Sequence, residues 1–162
     1  YLRETGYGIE LPRRLQIDLA RHVQARTDSI GTELSAEQLW DIFRAEYIDI
    51  DDADVTLIGF DSHDDNGSAD TCVTLKIDGT SYSTSHRGVG PVEALVDALA
   101  AHGRHVEILG LTQTSVRAGN DSDAVTMLEY RTAAGSGWAA GIDRSVLSAT
   151  LDAVVRAANA VT

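Results

Sequence analysis

The chain has 162 residues, of which 43% are hydrophobic, enough for one domain with a core or one domain plus an appendage. Its 25 acidic and 13 basic residues give a formal charge of -12. This balance argues against nucleic acid as a partner, because phosphate contacts need clustered Lys and Arg. No apolar run is long enough to cross a bilayer, so we expect no membrane partner.

The cysteine content and the N-terminal sequence indicate the cellular compartment. Cys72 is the only cysteine, so it cannot form an internal disulfide, and no export signal opens the chain. Both observations predict a cytoplasmic protein. The chain begins at Tyr1 rather than Met, so we expect a fragment, for which a missing leader says little.

The first part of the chain predicts two helices. The first covers Leu11 to Arg26, with Pro12 in its first turn and a solvated face that includes His22. A capping box at Ser35–Gln38 opens the second, which should run to about Glu46. Two short helices bury little alone, so we expect them to dock on another part of the protein. The apolar side of the second helix is Leu39, Trp40, Ile42 and Phe43.

An acidic stretch, Asp49 to Asp54, is the predicted domain boundary. The domains are therefore a helical accessory subdomain, 1–50, and a second domain, 51–162. From Val55 the apolar period changes to that of strands.

The second domain is predicted to contain the same structural unit twice. In the first copy a strand from Val55, a polar loop from Asp61 to Asp70 and a hairpin on Asp78-Gly79 precede a helix opened by Pro91. The second copy has a strand around Ile108, a strand Val125–Tyr130, a turn at Ala134-Gly135 and a short strand Gly137–Ala140. A helix then opens near Arg144. Two βββα units predict an α+β domain.

Each copy passes from strand to helix through a glycine corner. The first is Gly88-Val89-Gly90-Pro91, and the second is Gly141-Ile142-Asp143. Glycine allows close backbone approach, and the first N–H groups of a helix lack intrahelical partners. We expect the two corners to bind a small anionic ligand, although Asp143 has the alternative role of capping its own helix.

Other candidate sites carry weaker signals. Asp61–Gly67 resembles a calcium loop but has Val73 where the bidentate Glu is needed. His102 and His105 flank the helix stop Gly103, so they need not share a zinc ion. We therefore expect no metal or cofactor in this chain. His86 precedes the first corner and either faces a ligand carboxylate or ends a strand.

The motifs of several segments resemble those of a known family. The segments Gly8-Ile9-Glu10-Leu11-Pro12-Arg13-Arg14-Leu15-Gln16-Ile17, Leu39-Trp40-Asp41-Ile42-Phe43 and Glu46-Tyr47 resemble the accessory segment of the long-form 2-isopropylmalate synthase family. Gly88–Ala94, Gly119–Ala124 and Trp138–Asp143 resemble its C-terminal regulatory domain. The resemblance covers nearly the whole chain and keeps the family order.

The resemblance implies a role in leucine biosynthesis. The full enzyme condenses acetyl-CoA with 2-oxoisovalerate in an N-terminal barrel that holds a divalent metal, and this chain lacks that barrel. The chain itself would form a homodimer, work with the barrel and bind leucine, or a similar small amino or keto acid, for feedback control.

The resemblance also implies a ligand site. Carried over by position, its residues are Gly88, Val89, Gly90, Pro91, Val92, Glu93, Ile108, Leu111, Ser115, Ser122, Ala124, Ile142 and Asp143. Val89, Leu111 and Ser122 replace the Asn, Tyr and Ala that are usual in the family.

Those departures leave two alternatives open. One is a free-standing relative that acts as a small-molecule enzyme or binding protein, with His86, Glu93 or Asp143 as acid–base groups. The other is a purely structural dimerisation domain with an empty crevice.

Overall fold

The computed structural model describes residues 11–30, 34–50, 53–65, 68–115 and 123–160. Its helices are α1 (Arg13–Ile30), α2 (Ala36–Phe43), α3 (Pro91–Ala101) and α4 (Val146–Asn159). Its strands are β1 (Val55–Asp65), β2 (Ser68–Ile77), β3 (Thr80–Arg87), β4 (Glu107–Ser115), β5 (Ala124–Thr132) and β6 (Gly135–Asp143). A π-helical turn, Arg44–Ile48, extends α2.

The predicted duplication is confirmed. Strands β1-β2-β3 form one antiparallel sheet, strands β4-β5-β6 form a second, and each sheet is followed by a helix. Even an irregularity repeats: the first strand of each sheet carries a bulge, between Leu57 and Gly59 and between Ile108 and Gly110. The fold is therefore α+β, with two βββα units.

The two hairpin turns differ slightly from the prediction. Asp78 and Gly79 form the first turn with φ of 49° and 86°, the left-handed conformation that a tight two-residue hairpin requires. The second turn is Ala133-Ala134, one residue earlier than predicted, because Thr132 pairs with Gly135.

The predicted polar loop from Asp61 to Asp70 is wrong. Strand β1 continues to Asp65 and β2 begins at Ser68, with Asp61 paired to Cys72 and His63 to Asp70. The ladder is made of backbone hydrogen bonds, so polar side chains can occupy it where they face solvent. Asp61, Ser62 and His63 are all exposed.

One core joins the two units. Val73 and Leu75 from the first sheet, Leu128 from the second, and side chains of α3 and α4 form a single buried cluster. Leu95 and Leu99 of α3 and Leu151 and Val154 of α4 are almost fully buried there. The helices thus pack against the inner faces of both sheets. Val146, in the first turn of α4, is 47% exposed.

A second core holds the accessory helices on the outer face of the second sheet, as the sequence predicted for two helices too short to bury much alone. Leu15, Leu19, Phe43 and Tyr47 pack there against Met127 and its neighbours Val125 and Ala140. The capping box is also confirmed: the amide of Gln38 donates to the Ser35 hydroxyl, and the Ser35 amide donates to the Gln38 side chain.

His22 is not on a solvated face as predicted. Its ring is only partly exposed, lies edge-on to Tyr47 and is within 3.6 Å of Asp18 and 3.5 Å of Glu46. Arg156 of α4 donates to the carbonyl of Glu46 and so ties the accessory segment to the second unit. The boundary at Asp49–Asp54 stays a prediction, and two residues of that stretch lie outside the described part. No helix in the described part is long and apolar enough to span a membrane.

Candidate functional site

The first glycine corner forms as predicted. Gly88 has a φ of 75°, which favours glycine, and Gly90 is the N-cap residue of α3, with Pro91 at the first helical position. In the described part of the chain, no side chain caps this helix. A Cβ added at Gly88 or Gly90 would meet none of the described atoms within 4 Å. The described residues therefore leave the amides of the first turn of α3 without a side-chain cap.

A cleft of about 820 Å³ lies beside this turn. Three predicted residues, Val92, Glu93 and Ile108, line it. The rest of the lining was not predicted: Val96, Ala100, His105, Val106, Glu107, Arg131, Thr132 and Ala133. The aliphatic members come from α3 and from the start of β4, so the cleft has an apolar wall suited to an aliphatic group.

Charged groups of both signs surround this apolar wall. Arg131 donates two hydrogen bonds, of 3.0 and 2.7 Å, to one oxygen of Glu107, and both side chains remain more than half exposed. Glu93 lies in the first turn of α3, where the helix dipole favours a carboxylate. Arg131 could have been found from the sequence only with the β4–β5 register, which places it opposite Glu107.

The prediction of a second strand-to-helix corner at Gly141–Asp143 is wrong. Gly141, Ile142 and Asp143 lie within β6 and pair with Thr126, Val125 and Ala124. The helix begins later, at Val146, behind the N-cap residue Ser145. A Cβ at Gly141 would lie 2.0 Å from the carbonyl oxygen of Ala149. This glycine therefore permits close packing of β6 against α4.

The start of α4 is already capped by its own side chains. The Ser145 hydroxyl accepts from the amide of Ser148 at 3.2 Å, and the Asp143 carboxylate accepts from the amide of Ser145 at 3.0 Å. Asp152 keeps much of its surface exposed, yet partial burial raises its pKa and the Asp143 carboxylate raises it further. Capped amides and two nearby carboxylates make this end a poor anion site.

The structure does not bring all the predicted site residues together. Gly88–Pro91 form the first corner but are absent from the lining of the larger cleft. Val92, Glu93 and Ile108 share the cleft, whereas Ser115, Ala124 and Asp143 lie side by side on the three strands of the second sheet. Ile142 borders a separate cleft of about 390 Å³ near Val55 and Asp152. Leu111 is 45% exposed on β4 and is absent from both linings. Ser122 lies outside the described residues.

The three acid–base candidates do not converge. His86 lies on β3, where its Nε2 is 2.8 Å from the Thr84 hydroxyl, and Asp143 bonds to the amide of Ser145. Of the three, only Glu93 borders the cleft beside α3. Within the described residues, no group of three or more His, Cys, Asp or Glu side chains is arranged to hold a metal ion. The geometry fits binding of a small zwitterion or acid with an aliphatic part.

Comparison with known proteins agrees with this fold. A family profile described as "LeuA allosteric (dimerisation) domain" matches residues 33–162. Relatives named 2-isopropylmalate synthase occur in Parafrankia sp. (strain EAN1pec), at 36% identity, and in Mycobacterium leprae (strain TN), at 33%. Each alignment covers 98% of this chain but only 29% and 26% of the relative, so the chain spans less than a third of their length.

The sequence resemblance to the regulatory part of these synthases is thereby confirmed. The family match covers both βββα units and includes the open corner at Gly88–Pro91. The chain belongs to the LeuA allosteric (dimerisation) domain family.

Proposed function

We propose that this chain is the regulatory part of a 2-isopropylmalate synthase and that it binds leucine, or a similar small amino or keto acid, in the cleft beside α3. The observation that carries the proposal is the uncapped first turn of α3, which opens beside an apolar wall. Backbone amides at a helix start attract a carboxylate, and an aliphatic wall accepts an isobutyl group.

Charge and shape favour leucine-like ligands within that class. Val92, Val96 and Ile108 give the cleft aliphatic surface, while Glu93 and Glu107 offer carboxylates to an ammonium group. The guanidinium of Arg131, already paired with Glu107, supplies the opposite sign. An amino acid with an aliphatic side chain can contact all three: its side chain the aliphatic surface, its ammonium group the carboxylates, and its carboxylate the guanidinium.

The catalytic role belongs to a part of the protein beyond this chain. We propose that a metal-dependent barrel, joined to the accessory segment, condenses acetyl-CoA with 2-oxoisovalerate, because the sequence resembles long-form 2-isopropylmalate synthases and the relatives carry the name 2-isopropylmalate synthase. Feedback control then requires that leucine bind two states of the whole enzyme with different affinities, since equal binding shifts no equilibrium.

We also propose that the chain forms a homodimer. The first strand of each sheet is an edge strand, and the two edges carry exposed apolar side chains at and after the bulge: Ile58 and Phe60 on β1, Leu109 and Leu111 on β4. Exposed apolar edges are costly in a monomer and are covered in assemblies. A protomer mass in light scattering at micromolar concentration would contradict the dimer.

Calorimetric titration with leucine tests the proposal. The wild-type chain should give saturable heat, and Val92→Asp should abolish it, because it replaces part of the aliphatic wall by a charge that repels the ligand carboxylate at the first turn of α3. Val146→Asp is the matched control: it places the same charge on an exposed valine in the first turn of α4 and should leave binding intact. No heat from the wild type at millimolar leucine would count against leucine as the ligand.

A further inference from the structure

We propose that Thr71 is the positioning residue for the ligand-binding corner, and that its buried hydroxyl sets the direction in which the corner presents its amides. This inference rests on the proposed function, because it assigns a role toward the ligand of the same site. Thr71 lies in the middle of β2, well away in sequence from the corner, and no sequence motif marks it.

The contacts of Thr71 are specific. Its side chain is 1% exposed, and its hydroxyl donates a hydrogen bond of 3.1 Å to the carbonyl oxygen of Val89. The Ser62 hydroxyl lies 3.2 Å from the hydroxyl oxygen of Thr71. Since the single Thr71 proton goes to Val89, Ser62 must be the donor in that second bond. The threonine therefore joins β1, β2 and the corner through one oxygen.

The Val89 carbonyl controls the geometry of the corner. This carbonyl and the N–H of Gly90 belong to one planar peptide, so a bond that fixes one fixes the direction of the other. Gly90 is the N-cap residue of α3, and its neighbours Gly88 and Pro91 supply no side-chain hydrogen bond to hold the turn. Glycines lose much conformational entropy on ordering, so an external hydrogen bond has a large effect there.

The second unit provides a natural comparison. Thr126 occupies the position that corresponds to Thr71, counted from the two hairpin turns, and is equally buried. Its hydroxyl lies 3.0 Å from that of Thr150, which donates to the carbonyl of Val146 inside α4. Thr126 therefore contacts Thr150 within α4, a helix whose first turn is capped by Ser145. Thr71 instead bonds directly to the corner before α3, whose first turn has no side-chain cap from the described residues.

The experiment compares Thr71→Val with Thr126→Val, using leucine as the probe and two measurements. Both variants remove a buried hydroxyl and should lower the melting temperature. Only Thr71→Val should weaken leucine binding, on the order of tenfold, because an unmade buried hydrogen bond frees the Val89 peptide. Thr71→Ser keeps the hydroxyl and should restore affinity close to wild type.

Hydrogen exchange separates this inference from the proposed function. In the absence of leucine, Thr71→Val should speed exchange of the Ala94 amide, which donates to the Gly90 carbonyl at 2.9 Å, on the order of tenfold, and Thr126→Val should not. If the wild type fails to bind leucine, the ligand assignment fails while this exchange result still decides the role of Thr71. Wild-type exchange in Thr71→Val, or the same corner exchange in both variants, would overturn the inference. If Thr71→Val does not fold, Thr71→Cys, with a weaker donor of similar size, should give an intermediate effect.

Discussion

Gly141 has no room for a side chain. An ideal Cβ would lie 2.0 Å from the carbonyl oxygen of Ala149 and 2.9 Å from the amide nitrogen of Ala153, both backbone atoms of α4. Gly88, by contrast, has open space around it and a left-handed φ. The same residue type therefore serves close helix packing in the second unit and chain reversal in the first.

We predict that Gly141→Ala destabilises the protein by about 1–3 kcal/mol or more, because β6 and α4 must separate to admit the methyl group. Urea unfolding followed by circular dichroism measures the change. Gly59→Ala is the control: its φ is not in the left-handed region and nothing lies within 4 Å of the added Cβ, so its effect should be within about 0.5 kcal/mol. Equal effects of the two substitutions would contradict the packing role.

Gly141 and Gly88 each precede a predicted helix, and for this reason Gly141 was wrongly predicted to form a second corner. A glycine before a predicted helix indicates either a bend or a close approach, and only the path of the chain separates the two. Val92, Glu93 and Ile108, which the family resemblance assigns to one site, line one cleft, and their role there stays a prediction. Arg131 and Val96 were missed, because their place in the cleft depends on strand register and helix packing.

At the scale of elements, the two sheets differ in what covers their outer faces. Val125, Met127 and Ala140 of the second sheet are buried under the accessory segment. The corresponding positions of the first sheet, counted from the hairpin turns, are Asp70, Cys72 and Ser85. The accessory helices therefore dock on the second sheet, whose outer face is apolar at these positions. Tyr47 packs in that core and donates a hydrogen bond to Asp18 of α1.

This docking should respond to alkaline pH. Burial raises the pKa of Tyr47 above its usual value, the hydrogen bond to Asp18 raises it further, and burial also raises the pKa of Tyr130. Between pH 10 and the folded-state pKa, the unfolded chain loses a phenolic proton that the folded chain keeps. Stability is thus complete below about pH 10 and falls above it, by up to about 1.4 kcal/mol per pH unit for each group.

We predict that Tyr47→Phe lowers stability at pH 8 by about 1 kcal/mol, through loss of the bond to Asp18, but reduces the fall in stability above pH 10. Urea midpoints measured from pH 8 to pH 11 give both quantities. An unchanged slope above pH 10 would show that Tyr47 keeps no proton that the unfolded chain loses.

Elements whose ends carry a chemical signal were predicted well from the sequence. The capping box at Ser35, the Asp78-Gly79 turn and Pro91 each mark an end by a specific hydrogen bond or dihedral requirement. The ends of β1 and β6 carry no such signal. They run on through Asp65 and Asp143 because backbone pairing to a neighbouring strand does not depend on side-chain polarity.

At the scale of the whole molecule, duplication gives two similar units with unequal helix starts. The start of α3 is open, while Ser145 and Asp143 occupy the start of α4. Repeat periodicity predicted the pair of units and the α+β fold. Repeat periodicity could not predict the difference between the two helix starts. That difference arises because β6 continues through Ile142 and Asp143, two residues beyond Gly141, before the chain turns. We therefore propose that the ligand is recognised at the corner of the first unit.

Leucine titration followed by ¹H–¹⁵N correlation NMR tests that claim most directly, because it reports where the ligand binds. Shift changes should concentrate at Gly88–Glu93, His105–Ile108 and Arg131–Ala133, and the amides of Ile142, Asp143 and Ser145 should shift little. Saturable shifts centred on Ile142–Ser145, with the Gly88–Glu93 amides unmoved, would contradict the account.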